Sequence, residues 1–140
     1  MNEQENTVSF FRFEDLRIYA KALDYIKWVH ESFNLIPDVS QNSLVNNFEK
    51  TAQAIALNIA EGSARNKSQF VYYLKTAKSA VRECVVYTEL AYKLDLYGEA
   101  DREYSRSQLM ELTKMIGSLV TSLQRVVSAS KEEMDDDDEI

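Results

Sequence analysis

Lys75, Lys78 and Arg82 recur at spacings of three and four residues, so on a helix they share one face. None has an acid three or four positions away. The interval from Gly62 to Arg82 holds five basic residues, Arg65, Lys67, Lys75, Lys78 and Arg82, and no Asp or Glu. Basic side chains in such a row neutralise phosphates, and Tyr72 and Tyr73 beside them offer rings on which bases stack. The chemistry suggested is anion or nucleic-acid binding. The competing reading is the solvated polar face of an amphipathic helix.

Other chemistries find less support. A di-metal carboxylate bundle needs two inward Glu-x-x-His motifs, but the single histidine, His30, has Lys27 three places before it and Glu31 after it. Its place in the pattern reads as a core or boundary position on the inner face of a first helix. Cys84 falls on an apolar stripe with no histidine or helix start beside it, which is the setting of a small buried hydrophobe and not of a nucleophile. No glycine-rich phosphate loop occurs. No catalytic residue, metal or cofactor is expected, and the protein reads as non-enzymatic.

The net charge of −7 argues against a polyanionic partner until its placement is considered. Lys131 to Ile140, KEEMDDDDEI, carries seven acids and one lysine, and the rest of the chain has 15 basic against 16 acidic side chains. The body is nearly neutral, and residues 130–140 read as an acidic, disordered tail. Residues 1–12 read as an N-terminal extension without the basic start and apolar core of a secretory signal, and no apolar run is long enough to span a membrane. A cytoplasmic protein is expected.

Three Gly and one Pro in 140 residues, with 3.6-residue periodicity between them, predict an all-α fold over residues 13–129. The first helix runs from about Phe13 to Phe33 with Leu16, Tyr19, Leu23, Ile26, His30 and Phe33 inward. Pro37 breaks it and Ser40 caps the second, about Gln41 to Glu61, with Leu44, Phe48, Ala52, Ile55 and Ile59 in register. Gly62 then serves as a left-handed helix end. Asn66 with Gln69 forms a capping box for the third helix, whose stripe is Phe70, Leu74, Ala77, Val81, Cys84, Thr88 and Ala91, and Gly98 stops it. The fourth carries Leu109, Leu112, Ile116, Leu119, Leu123 and Val126. Short connections make successive helices antiparallel, which predicts an up-down-up-down four-helix bundle.

The third helix has more apolar surface than one seam uses. Tyr72, Tyr73, Val86 and Tyr87 are the candidate interface of a closed homo-oligomer.

FEDLRIYAKAL at 13–23, IALNIAEGSAR at 55–65 and FVYYLKTAKSAVRE at 70–83 together resemble the four-helix-bundle proteins of the 23S rRNA-intervening sequence family. Asn58 to Gly62 followed by Arg65 is the most specific element. The resemblance implies a small bundle, with a ring of five subunits as the best single number. One related branch implies a basic accessory subunit that binds a reverse transcriptase and nucleic acid in diversity-generating retroelements. This chain has Asn47, Glu49 and Lys50 where relatives place a Gln and a basic pair, which lowers the basicity of its second helix. Asn58, Glu61, Gly62, Arg65 and Glu83 read as a structural cluster fastening the turn between the second and third helices. The leading reading is a homo-oligomeric interaction or scaffold protein; the alternative is the nucleic-acid-binding accessory factor.

Overall fold

The computed structural model describes residues 10–138, with side chains through Lys131. Among them are four α-helices and no strand: α1 (Arg17–Ser32), α2 (Ser43–Ser63), α3 (Lys67–Lys93) and α4 (Glu99–Asp138). No helix among these residues is long and apolar enough to cross a membrane.

Local chemistry sets most of the boundaries. The Asn42 side chain caps α2 by accepting the Val45 N–H at 3.1 Å, which moves the start of that helix two residues past the expected Gln41. Ser40 lies instead in a short 3-10 turn, Val39–Gln41. The Asn66 and Gln69 capping box at the head of α3 is formed in both directions. At the far end of α3, Asp95 takes the left-handed conformation with φ 60°. Its N–H bonds the Tyr92 carbonyl at 3.1 Å and the Leu96 N–H bonds that of Ala91 at 2.9 Å. This is a Schellman end with Asp where glycine is usual. The expected stop at Gly98 is therefore made by Asp95, and Gly98 lies in open space just before α4.

Gly62 is also placed differently from its expected role as a left-handed end. It sits buried inside α2, and no glycine among the described residues has positive φ. A Cβ there would come within 2.6 Å of the Tyr73 Cβ and 2.9 Å of the Phe70 ring. Only a residue without a side chain lets α2 and α3 meet so closely.

In α1 the buried stripe is Ile18, Ala22, Tyr25, Val29 and Phe33. The expected stripe lies one residue, or about 100°, around the helix. It leaves Leu23 exposed and His30 with a side chain 75% accessible, bonded through Nδ1 to Glu49 Oε1 at 2.9 Å. Two apolar stripes run side by side here. The one containing Ala22 faces inward because its small side chain admits the neighbouring helix, while Tyr19 and Ile26 flank the core half-buried. The 3-10 turn Arg12–Asp15 and an extended Leu16 precede α1, so the expected single helix from Phe13 is divided.

The core joins all four helices through Phe33, Phe48, Ile55, Ile59, Leu74, Val81, Leu109, Leu112 and Ile116, with Cys84 fully buried among them. One polar thread crosses it. Thr88 gives its hydroxyl proton to the Cys84 carbonyl at 2.8 Å and so can only accept from Ser105, which in turn accepts from Tyr25 (both 2.7 Å). The direction of the chain is fixed by that last carbonyl. Every buried side-chain nitrogen or oxygen among the described residues has a partner. Burial, with the nearby Glu83 carboxylate adding to it, pushes the Cys84 thiol up to about 12, so it stays protonated at neutral pH.

The backbone of α4 continues to Asp138, through the segment expected as a disordered tail. The side chains from 132 onward and residues 139 and 140 lie outside the described residues, as do residues 1–9 of the expected N-terminal extension. On α4 the inward seam is Leu109, Leu112, Ile116 and Val120, with Leu119 and Leu123 half-buried and Val126 exposed.

Candidate nucleic-acid interface

The N-terminal half of α3 packs against the middle of α4. Leu74, Ala77 and Val81 share the core with Leu112, Ile116 and Val120, which turns the next positions on each helix to the rim. Lys75 and Lys78 stand on the α3 side of that rim. On α4, Lys114, Gly117, Ser118, Thr121, Ser122 and Arg125 follow one another at helical spacing. Together with Val120 they line a groove of about 820 Å³. Gly117 contributes no side chain, and the Lys78 ammonium lies 4.0 Å from where its Cβ would be.

Four cations line this groove and no acid does. Among the described residues, none of Lys75, Lys78, Lys114 and Arg125 makes an ion pair. The Thr121 hydroxyl is committed to the Gly117 carbonyl at 3.0 Å. Ser118 and Ser122 make no hydrogen bond to the described protein, so their hydroxyls are available as donors to an anion. Cations and free hydroxyl donors around an open trough are a phosphate-binding set. No aromatic side chain lines it, so the contacts on offer are to a backbone and not to stacked bases.

The five expected basic residues divide. Lys75 and Lys78 line the groove. Arg82 is exposed on the same helix, has no ion pair among the described residues and lies outside the lining set. Lys67 is exposed in the first turn of α3. Arg65 is occupied, since its guanidinium bonds Glu61 at 2.5 Å and lies 5.3 Å over the Tyr73 ring; hydrogen bonding to Glu61, then the Tyr73 and Glu61 charges, raises its pKa further.

The turn cluster is partly assembled. Glu61, Gly62, Arg65 and Tyr73 are joined across the α2–α3 corner. Asn58 instead bonds the Ala54 carbonyl of its own helix at 2.8 Å. Glu83 stands sixteen residues along α3 from its first residue, roughly 24 Å away, and makes no hydrogen bond or ion pair among the described residues. Of the four expected interface residues, Tyr73 is half-buried over Gly62 and Tyr87 stacks on Phe48 with ring centroids 5.6 Å apart. Tyr72, edge-on to the Tyr73 ring at 5.4 Å, and Val86 lie at the surface, 66% and 59% exposed.

Lys114, Arg125, Ser118 and Ser122 had no place in the reading of the sequence. A signal for them exists, because α4 has its own acid-free interval from Leu112 to Lys131. The groove brings residues of that interval beside Lys75 and Lys78 of the one beginning at Gly62.

A family model described as 23S rRNA-intervening sequence protein matches residues 14–118. No curated protein matches the chain.

Proposed function

This chain belongs to the 23S rRNA-intervening sequence protein family, and on that premise we propose that it is a non-enzymatic, cytoplasmic interaction subunit that takes the phosphate backbone of a nucleic acid in the α3/α4 groove. The observation that carries the reading is the set of four cations without an ion pair among the described residues, in a chain of net charge −7. Acids outnumber bases overall, so an acid-free cationic groove stands apart from the average surface. The absence of a lining aromatic favours duplex over single-stranded partners. A reverse transcriptase as a further partner is implied by the resemblance alone.

Fluorescence anisotropy of a labelled duplex, titrated with the full chain at several salt concentrations, tests this. With four phosphates neutralised, affinity falls about a hundredfold between roughly 50 and 200 mM salt. No binding at the lower salt overturns the reading.

A closed homo-oligomer, five copies by the resemblance, is a second reading. Val86 and Leu90 on α3 and Leu94 at its C-cap favour it, being exposed apolar residues spaced four apart. It presumes the up-down-up-down arrangement, which the meetings of Phe33 with Phe48, Gly62 with Tyr73, Thr88 with Ser105 and Lys21 with Glu111 support. Light scattering at micromolar concentration tests it. A mass that stays near 16 kDa would count against any oligomer.

A further inference from the structure

We propose that Gly117 is the seat of the groove: the missing side chain leaves a bare floor on which a phosphate lies between Lys78 of α3 and Lys114 of α4, so that position 117 sets how tightly the groove holds its anion. The inference rests on the phosphate reading above and adds the residue that makes room for the contact.

Glycine inside a helix costs stability relative to alanine, because its backbone gives up more freedom and is left open to water. Such a residue needs a packing or functional reason. Two of the three glycines, Gly62 and Gly117, stand inside helices. Gly62 has a packing reason, since an added Cβ would meet the Tyr73 Cβ at 2.6 Å. Gly117 has none of that kind. Its backbone is not left-handed. Beyond its chain neighbours and its own helix's backbone, one atom among the described residues comes within 4 Å of an added Cβ, the Lys78 ammonium nitrogen at 4.0 Å. A methyl group fits at that ordinary contact distance, so the fold itself does not ask for glycine here.

What the missing side chain leaves open is the groove. Position 117 lies three residues after Lys114 and four before Thr121, which puts all three on one face of α4. All three line the groove, and Lys78 reaches them from α3. The bare stretch of α4 is thus flanked by two cations, neither of which makes an ion pair among the described residues. A bare backbone also exposes a carbonyl, whose lone pairs repel anions. The Gly117 carbonyl is already engaged twice, by the Thr121 N–H of the helical ladder and by the Thr121 hydroxyl at 3.0 Å. Ser118, the next residue, adds a hydroxyl free to donate.

The test compares Gly117→Ala and Gly117→Leu in the full chain, with Gly98→Ala as a control outside the groove, by melting and by anisotropy of the labelled duplex across salt. Alanine and leucine are both better helix formers than glycine, so Gly117→Ala melts about 2–4 °C above the parent and Gly117→Leu no lower than it. Affinity moves the other way. Alanine weakens binding a few-fold. Leucine, whose side chain leans over the preceding turn and so toward Lys114, weakens it about tenfold near 50 mM salt, the worth of one phosphate contact, and makes the log–log salt slope shallower by about 0.9. Gly98→Ala leaves affinity as it was. Stability gained with affinity lost is the signature of a bare floor, whereas a glycine kept for packing loses stability on substitution. Should Gly117→Leu fold poorly, Gly117→Ala decides by the same two readouts. Where the parent binds duplex, unchanged affinity in the Gly117 variants, or an equal loss in Gly117→Ala and Gly98→Ala, overturns the inference and leaves the phosphate reading standing. A parent that binds no duplex at low salt overturns the phosphate reading and this inference with it.

Discussion

The two ends of the α3–α4 pair use charge in opposite ways. Where the C-terminal half of α3 meets the start of α4, two arginines share one acid. Glu89 takes Arg102 through both carboxylate oxygens at 2.9 and 3.1 Å and Arg106 at 3.2 Å, and Arg102 lies 4.7 Å over the Tyr92 ring. Farther along α4, Lys21 of α1 closes on Glu111. Beneath them the Tyr25–Ser105–Thr88 thread ties three helices together. At the other end the same two helices hold Lys75, Lys78, Lys114 and Arg125 without an acid. A charge that already has a partner contributes to the protomer, and one without a partner awaits something outside it. On that difference rests the functional reading.

The comparison presumes that both ends ride on one close α2–α3 seam, and the sharpest way to break it is at Gly62. Gly62→Val drives a branched side chain into the Tyr73 Cβ and the Phe70 ring. Because the first obstacle is a Cβ and not a flexible side-chain tip, the helices must part, with a loss of about 3 kcal/mol. Urea unfolding measures it. A loss within about 0.5 kcal/mol, the range of a neutral surface change, would contradict so close an approach.

Next in size is the polar thread of the packed end. Ser105→Ala removes the 2.7 Å hydrogen-bond partner of the buried Tyr25 hydroxyl and lowers stability by about 1–3 kcal/mol. Adding Tyr25→Phe removes the orphaned group, so the double variant is more stable than Ser105→Ala alone. Melting of the pair of variants checks this, and equal melting temperatures would mean the thread contributes no more than its packing.

How much of this was legible in the sequence depended on whether a signal was local. The capping box at Asn66 and Gln69 and the core positions Leu74, Ala77, Val81 and Cys84 follow from spacing within one helix, and they stand where spacing put them. The inward face of α1 did not follow, since Leu16–Tyr19–Leu23 and Ile18–Ala22–Tyr25 are both apolar stripes and only the partner helices decide between them. Gly62 had two uses open to a glycine, a left-handed end or a close approach, and a one-dimensional pattern does not separate them. The groove was half legible. Lys75 and Lys78 announce themselves by the missing acids around them, whereas Lys114 and Arg125 join them only when α4 packs against α3. Tyr73 and Tyr87 looked like surplus surface because their uses, over Gly62 and against Phe48, lie on α2.

The acid at the packed end gives a smaller, pH-dependent effect. Hydrogen bonding to Arg102, outweighing a slight desolvation, holds the Glu89 carboxyl below its ordinary range. A depressed folded-state pKa stabilises the fold above the unfolded value, near 4.3, and this contribution disappears as pH falls through the folded value. Glu89→Gln is therefore slightly less stable than the parent at neutral pH, and the difference closes as the pH drops below about 4. Melting curves across that range follow it; a difference that persists at lower pH would assign the effect to packing of the side chain instead.

At the basic end the expected change in stability is the smallest. Lys75→Ala with Lys78→Ala removes no ion pair, so the melting temperature holds to within about 0.5 kcal/mol of stability.

The central claim is tested most directly by duplex affinity at low salt, measured on Lys75→Glu/Lys78→Glu and on Arg102→Ala in the full chain. Reversal in the groove abolishes binding while Arg102→Ala, at the end where charge already has its partner, leaves affinity as it was. Equal loss in both variants, or binding that survives reversal of Lys75 and Lys78, would contradict the division of charge between the two ends.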